Sequence, residues 1–172
     1  KKYYYNILKI FGPTYPFDFK KKVSEYISFE NKIILNVGSG NQILDQNFIN
    51  IDFYPHDNMD IVADALNLPF KDEVIDCIVS RSFIEHIKSP SVFVKEIQRC
   101  IKSGGITVHS IPFLYPYHSS PQDYSRFTHT GIKNLFRNFQ ELNLTNITGP
   151  FTLIVLILTD FLSSLLSLSI PK

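Results

Sequence analysis

The sequence predicts an α/β domain built on a mostly parallel sheet with flanking helices. From Ile33 onward, short apolar runs of strand length alternate with helix-like segments. The first run breaks on Gly38-Ser39-Gly40, and the second, Ile49-Asn50-Ile51-Asp52, ends on an acidic residue. Strands that alternate with helices imply a sheet covered on its faces, with ligands bound at the carboxyl ends of the strands.

Composition fits one domain. A chain of 172 residues, 44% of them hydrophobic, is long enough to bury a core. With 17 basic and 16 acidic side chains, no overall field draws the protein to nucleic acid or to an acidic surface. Cys77 and Cys100 form no Cys-x-x-Cys pair, so a disulfide framework or structural zinc is not expected, no metal site is predicted, and a reducing cytoplasm is the default location. The chain starts at Lys1 with no methionine and no charged-then-apolar leader, which reads as a trimmed or partial chain.

Residues 1–30 form an N-terminal segment, aromatic and basic up to Pro16. It is followed by a predicted helix from Phe17 to Phe29 with Val23, Tyr26 and Ile27 on one side. Within 31–150, strands are predicted at Ile33–Val37, Ile49–Asp52, Ile61–Ala63, Ile75–Ser80, Gly105–Ile111 and Leu142–Ile147. Between the fourth and fifth, Pro90–Ile101 reads as a helix. Pro90 suits its first turn, Ser89 can cap it, Val92, Phe93, Ile97 and Ile101 recur at helical spacing, and Ser103-Gly104-Gly105 ends it.

Only about a dozen residues join the first two strands, near the minimum for a parallel crossover. Tyr54-Pro55-His56-Asp57-Asn58 leaves no room for a full helix after the second. Shortened first crossovers and a thinly covered sheet face follow, and no complete seventh strand is expected.

The glycines let the backbone turn sharply and approach a ligand, while a carboxylate at the tip of the next strand can accept hydrogen bonds from both ribose hydroxyls. An adenosine-containing cofactor suits this order; a tight turn with no ligand is the alternative. Asp64, just past the third strand, can accept from an adenine amino group or serve as a cap or turn residue.

Taken together, Leu35-Asn36-Val37-Gly38-Ser39-Gly40, Ile51-Asp52, Asp64-Ala65-Leu66-Asn67-Leu68-Pro69-Phe70, Phe83-Ile84-Glu85-His86-Ile87 and Ile101-Lys102-Ser103-Gly104-Gly105 resemble the ordered motifs of class I S-adenosylmethionine-dependent methyltransferases. The resemblance is to the type 11 small-molecule group, and it covers roughly Ile33 to Phe136. It implies a Rossmann-like sheet with S-adenosyl-L-methionine as cofactor. Asn36, Gly38, Ser39 and Gly40 would line the methionine and ribose part, Asp52 would bind the ribose, and Asp64 with Ala65 would frame the adenine. Ser80 and Arg81 would lie near the methionine moiety.

Two positions depart from the pattern. The family usually has an acidic residue where Asn36 stands and often a third glycine near Gln42. An amide can hydrogen-bond the ammonium through its oxygen but supplies no charge, a loss of about 1 to 2 kcal/mol.

Rival motifs fit less well. A dinucleotide fingerprint wants a glycine at Ile43, a P-loop wants a Gly-Lys-Ser/Thr ending, and a hydrolase elbow wants glycines at Val37 and Asn41. Related enzymes that methylate amines of nucleic-acid bases carry an Asp/Asn-Pro-Pro-aromatic turn where this chain has Ser80-Arg81-Ser82-Phe83, so nucleic acid is not expected.

The substrate side falls to the loop 112–128, a lid over the cofactor rich in aromatics. Tyr117 and Tyr124 can pack on a sugar or ring, Arg126 can hold an anionic group, and Asp123 completes the set; the alternative is a self-packed loop in which Asp123 pairs with Arg126. The stretch is also similar to methyltransferases found beside polysaccharide-building genes, which points to a small-molecule, glycan or lipid-linked acceptor. For a hydroxyl acceptor, His118 or His86 can take the proton, and each also reads as a structural hydrogen-bonder.

Residues 151–172 read as an apolar C-terminal helix. Asp160 near its middle argues against a span, and Thr159, Asp160, Ser163, Ser164 and Ser167 fall opposite Phe161, Leu162, Leu165, Leu166 and Leu168. Packing on the protein or on a partner is expected first, and contact with a membrane surface second, aided by Lys1, Lys2, Lys9 and Lys20 to Lys22. The functional expectation is methyl transfer from S-adenosylmethionine; the competing one is a methyltransferase-like binding or scaffold domain without turnover.

Overall fold

The computed structural model describes residues 18–113, 115–119, 122–147, 154–155, 157–159, 161–162 and 165. The chain divides into two units, Asp18–Pro112 with Ser119–Gln140, and Lys1–Phe17 and Phe113–His118 with Glu141–Lys172.

The first unit is organised on a five-stranded parallel sheet in the order β3-β2-β1-β4-β5. Its strands are β1 (Ile34–Val37), β2 (Phe48–Asp52), β3 (Ile61–Val62), β4 (Ile75–Arg81) and β5 (Ile101–Ser110). Central β1 is buried throughout and β4 is buried up to Ser80, as near-continuous apolar runs covered on both faces must be. The register sets Val37 of β1 beside Ile51 of β2 and Asn36 beside Val79 of β4, so the strands end together and their tips form one crevice.

Among the described residues of this unit, three helices flank the sheet: α1 (Phe19–Ser24), α2 (Pro90–Cys100) and α3 (His129–Leu135), with a 3-10 turn at Ile84–His86. In α1, the Lys21 N–H donates to Asp18 Oδ1 at 2.9 Å, and Phe19 and Val23 are buried. The helix stops well before the expected Phe29. Asn31 takes a left-handed conformation at φ 55°, and Phe29 leaves the helix to pack edge-on against Phe48 at 4.9 Å. That tertiary contact outweighs the helical spacing of Tyr26 and Ile27.

Helix α2 packs Phe93, Val94, Ile97 and Cys100 into the core, while Val92 stays exposed. Ser89 makes no side-chain cap bond, contrary to expectation; Pro90, whose missing N–H leaves one orphan donor fewer, fills the first turn. Arg99 on this helix donates to the Phe70 and Leu68 carbonyls at 2.7 and 3.0 Å and pairs with Glu96 and Asp72, which ties the loop after β3 to the helix.

The helix ends at Cys100, and Ile101 already pairs with Ile75. Gly104 and Gly105 therefore lie inside β5, in an irregularity that shifts the register before Ile106 meets Cys77, rather than closing the helix. A Cβ on Gly105 would lie 2.6 Å from Ile101 Cγ1 and 2.9 Å from the Lys102 carbonyl, so the bulge requires glycine there.

No helix spans the connections from β1 to β2 or from β2 to β3, in keeping with the short crossovers. Helix α3 was not anticipated, although Thr128 caps it by accepting from the Gly131 N–H at 3.1 Å. At the amino end of the sheet, the Asp76 carboxylate accepts from the Ile33 N–H at 3.0 Å and pairs with Lys102 and Lys32, which holds it down to about 2.

In the second unit, 142–147 carries no strand. The described residues between 154 and 165 are helical, and Ile154, Ile157, Leu158, Phe161, Leu162 and Leu165 are all exposed. Among the described residues, no helix is long and apolar enough to cross a membrane. The segment 1–17 lies outside the described residues, as do Asp160, Ser163, Ser164, Leu166, Ser167 and Leu168.

Candidate functional site

The strand order places β2 and β3 on one side of β1 and β4 and β5 on the other, so the topological switch lies between β1 and β4. In sheets of this kind, the crevice beyond that point receives the ligand. Gly38 and Gly40 take φ of 70° and 51°, a left-handed backbone that strains any residue with a Cβ. The N–H groups of Gly38 and Ser39 both donate to the Ile51 carbonyl, at 2.8 and 3.1 Å, which pins the turn to β2.

Asp52 is oriented by the backbone around it. Its Oδ2 accepts from the Gly40 N–H at 2.8 Å and its Oδ1 from the Tyr54 N–H at 3.1 Å, so each oxygen keeps acceptor capacity for a further donor. A Cβ built on Gly40 meets nothing within 4 Å, which leaves open space beside that carboxylate. Exposed Phe53 and Tyr54 follow, their rings edge to face at 5.2 Å. Such a wall suits a flat heteroaromatic ring next to a vicinal diol, and the residues present fit an adenosine moiety.

Asp64 is exposed at the end of β3 and accepts from the Leu66 N–H at 2.8 Å, so it shapes its own turn while keeping a second oxygen. Ala65 beside it is buried. Ser39 is buried as well, its hydroxyl donating to the Gly40 carbonyl at 3.4 Å.

On the other flank of the switch, Ser82 takes φ 47° and its N–H donates to the Ser110 carbonyl at 2.8 Å. The chain turns back there, and the half-buried Phe83 ring lies against Gly38: a Cβ on Gly38 would sit 2.0 Å from Phe83 Cδ2. Edge-on contact with Phe93 at 5.4 Å holds the ring from behind. Arg81 is exposed at the rim of β4.

Two predicted cofactor residues turn their side chains into the sheet. Asn36 is buried and its Nδ2 donates to Asn50 Oδ1 at 2.9 Å across the β1–β2 pair. Ser80 is fully buried, 2.7 Å from His109 Nδ1, and the far nitrogen of that ring lies 2.5 Å from Thr107 Oγ1. Because the Thr107 hydroxyl donates to the Ile78 carbonyl at 2.9 Å, it accepts from His109 Nε2–H, and Nδ1 accepts from Ser80. Packed between Phe93 and Phe136, His109 is pushed down to about 3 by burial and stays neutral. The motif reading missed this histidine; its alternation with Thr107 along β5 was the available signal.

The later part of the predicted lid, 122–128, docks on the 3-10 turn. The N–H groups of Tyr124 and Ser125 donate to the Glu85 carbonyl at 2.8 and 3.3 Å, and His86 Nδ1 bonds the Gln122 carbonyl. Arg126 grips Asp123 with both terminal nitrogens, the second at 2.6 Å, and this pairing raises the guanidinium further above its already high range. Glu85 is fully buried, with His86 Nε2 3.7 Å from its Oε1. Tyr124 is exposed beside this cluster.

Tyr117 and His118 belong to the second unit. There Tyr117 is the more exposed, and His118 approaches the Pro116 carbonyl at 3.2 Å and packs edge-on against Tyr115.

Residues 37–109 match the methyltransferase domain family of type 11. No curated protein matches the sequence. Among solved structures, the chain is similar to one in the complex between the Trm112 methyltransferase activator and a methyltransferase of Haloferax volcanii. That likeness has a TM-score of 0.57 at 18% identity, over 69% of this chain and 64% of that one. A S-adenosylmethionine-dependent methyltransferase of Thermotoga maritima gives 0.57 at 18% over 81% and 78%, and one of Aquifex aeolicus gives 0.52 at 13% over 70% and 78%. At these identities, the likeness is one of fold. The chain thus spans just under two thirds of the length of the Haloferax chain. The glycine turn and the Asp52 carboxylate thus lie inside the segment, under half of the chain, that matches the methyltransferase domain of type 11, and the parallel sheet that carries them has the fold shared with these solved methyltransferases.

Proposed function

We propose that this domain binds S-adenosyl-L-methionine and transfers its methyl group to a small-molecule or glycan- or lipid-linked acceptor. The observation that carries the reading is the carboxylate of Asp52, held by two backbone N–H groups beside the open flank of Gly40. In this reading, Asp52 holds the ribose hydroxyls, Phe53 and Tyr54 cover the adenine, Asp64 and Ala65 frame its edge, and the turn 38–40 lies along the ribose and methionine.

The cofactor supplies an electrophilic methyl on a positively charged sulfur. Transfer in line needs the acceptor aligned behind that carbon and water excluded, effects worth up to about 7 to 11 kcal/mol in favourable cases. Tyr124 is the aromatic surface that the unit carrying Asp52 offers to a sugar or ring. Arg126, already bound to Asp123, contributes to an anionic acceptor only if that pair opens. For a hydroxyl acceptor, the proton leaves as the carbon–oxygen bond forms, and His86 is the base offered by the unit that carries Asp52. His86 donates from Nδ1 to the Gln122 carbonyl, so Nε2 is its accepting nitrogen.

A second reading, a cofactor-free scaffold domain, is favoured by Asn36 alone, whose amide is uncharged and gives one of its two N–H donors to Asn50. Titration calorimetry with S-adenosylmethionine and S-adenosylhomocysteine separates the two. Binding of both supports the enzyme reading, and no binding of either at millimolar concentration rejects it.

For partners, the exposed stripe Ile154, Ile157, Leu158, Phe161, Leu162 and Leu165 supports a peripheral membrane surface or a protein partner rather than a free solvent face. Liposome flotation of the whole chain and of Leu158→Asp/Phe161→Asp tests the membrane option. Equal partitioning of the two leaves the protein partner.

A further inference from the structure

We propose that Phe83 faces the positively charged sulfur of the cofactor and lets the domain tell S-adenosylmethionine from the uncharged thioether left after transfer. The proposal rests on the cofactor reading above.

The placement follows from the order of the strands. Asp64 follows β3, Asp52 ends β2, the glycine turn follows β1, and Phe83 follows β4, in the spatial order β3-β2-β1-β4. The cofactor has the same linear order: adenine, ribose, then sulfur one methylene beyond. With the adenine at Asp64 and the ribose at Asp52, the sulfur falls toward the gap between β1 and β4. That gap is flanked by Gly38 and Phe83.

The ring is built into that position. Ser82 accepts a left-handed backbone, tied by its N–H to Ser110, and this reverses the chain so that Phe83 returns over the switch point. Gly38 has no Cβ, and the ring fills that space; Phe93 blocks retreat from the other edge. A ring that follows a strained residue and is clamped on two sides is pre-ordered before any ligand arrives, yet it keeps some exposure to solvent.

The charges around it leave the task to the ring. Near the end of β1, the residue is neutral Asn36, and one of its two N–H donors is given to Asn50. Ser80 is turned to His109, and Asp52 serves the ribose. Glu85 is fully buried with His86 and Arg126 about it. The face of an aromatic ring attracts a cation through its quadrupole and does nothing comparable for a neutral sulfur. Phe83 is thus a specificity residue acting on the sulfonium charge.

Calorimetry of the full chain with S-adenosylmethionine and with S-adenosylhomocysteine tests it, comparing wild type with Phe83→Leu, Phe83→Met and Phe83→Tyr. The expected result is a selective loss of about three- to thirty-fold for the charged ligand in the Leu and Met variants, with Tyr close to wild type. Replacing the Phe83 ring by mono-, di- and trifluorinated phenylalanine keeps its shape and weakens its quadrupole. A graded loss for S-adenosylmethionine alone is expected. Equal changes for both ligands, or none across the fluorinated series, overturn the role of Phe83 while leaving the cofactor reading intact. Wild-type protein that binds neither ligand removes that reading and this proposal with it.

Discussion

The Gly40 N–H donates to Asp52 Oδ2 at 2.8 Å, joining the glycine turn after β1 to the carboxylate that ends β2. One bond thus does two things: it fixes the turn and aims the acceptor. Asp52→Ala is expected to weaken S-adenosylmethionine binding by about 1.5 to 3 kcal/mol, the scale of a lost charged hydrogen-bond partner. Asp52→Asn keeps one acceptor oxygen and loses less. Calorimetry reads the affinities, and unchanged binding in the alanine variant removes Asp52 from the site.

Gly38 and Gly40 share a left-handed backbone but not a neighbourhood. At Gly40, a Cβ meets open space, so Gly40→Ala costs the backbone strain alone, about 1 kcal/mol. At Gly38, the same change drives a Cβ into the Phe83 ring, and Gly38→Ala should destabilise by about 1 to 3 kcal/mol more. Denaturant unfolding separates the two. Adding Phe83→Ala to Gly38→Ala should recover part of the excess, because the clash is gone; strictly additive losses would show that the ring is not what Gly38 accommodates.

Acid should unfold the protein in two windows. His109 is neutral in the fold, pushed down to about 3 by burial, whereas the unfolded chain takes up that proton near 6.5. The unfolded state then binds more protons, so stability falls as pH drops from about 6.5 towards 3. Asp76 is held at about 2 by the Ile33 N–H and by Lys102, against 3.8 when unfolded. Its contribution, roughly 2 kcal/mol, is present above pH 4 and is lost as pH falls through 2. Urea titrations at stepped pH check both: His109→Gln flattens the upper slope and Asp76→Asn the lower.

What the sequence made legible was whatever depends on local pattern. The buried runs of β1 and β4, the Gly-x-Gly turn and the acidic tip of β2 announce themselves by period and residue type, and each sits where the pattern places it. Hidden were features decided by distant neighbours. Gly38 reads as room for a ligand, yet the space at its α-carbon belongs to Phe83, far along the chain. Asn36 and Ser80 read as ligand contacts by motif position, but the cross-strand partners Asn50 and His109 take up hydrogen-bonding groups of their side chains. The glycines at 104 and 105 read as a helix stop, though the need for them arises from the register of β5 against β4.

The strap 122–126 depends on one cation. Arg126 holds Asp123 with two nitrogens and also feels the buried Glu85, while the strap's own amides at Tyr124 and Ser125 rest on the Glu85 carbonyl. Removing the guanidinium takes this ionic partner from the sheltered Asp123 carboxylate. Arg126→Ala is therefore expected to cost about 3 to 5 kcal/mol, if the strap stays docked. Undocking into water is the cheaper route, so part of the cost should appear as local opening: faster hydrogen exchange at Tyr124 and Ser125, with the amides of β1 and β4 unchanged. Adding Asp123→Asn removes that sheltered charge and should restore protection at those amides. Exchange at Tyr124 and Ser125 that stays slow in Arg126→Ala would show that the main-chain bonds to Glu85 hold the strap without the ion pair.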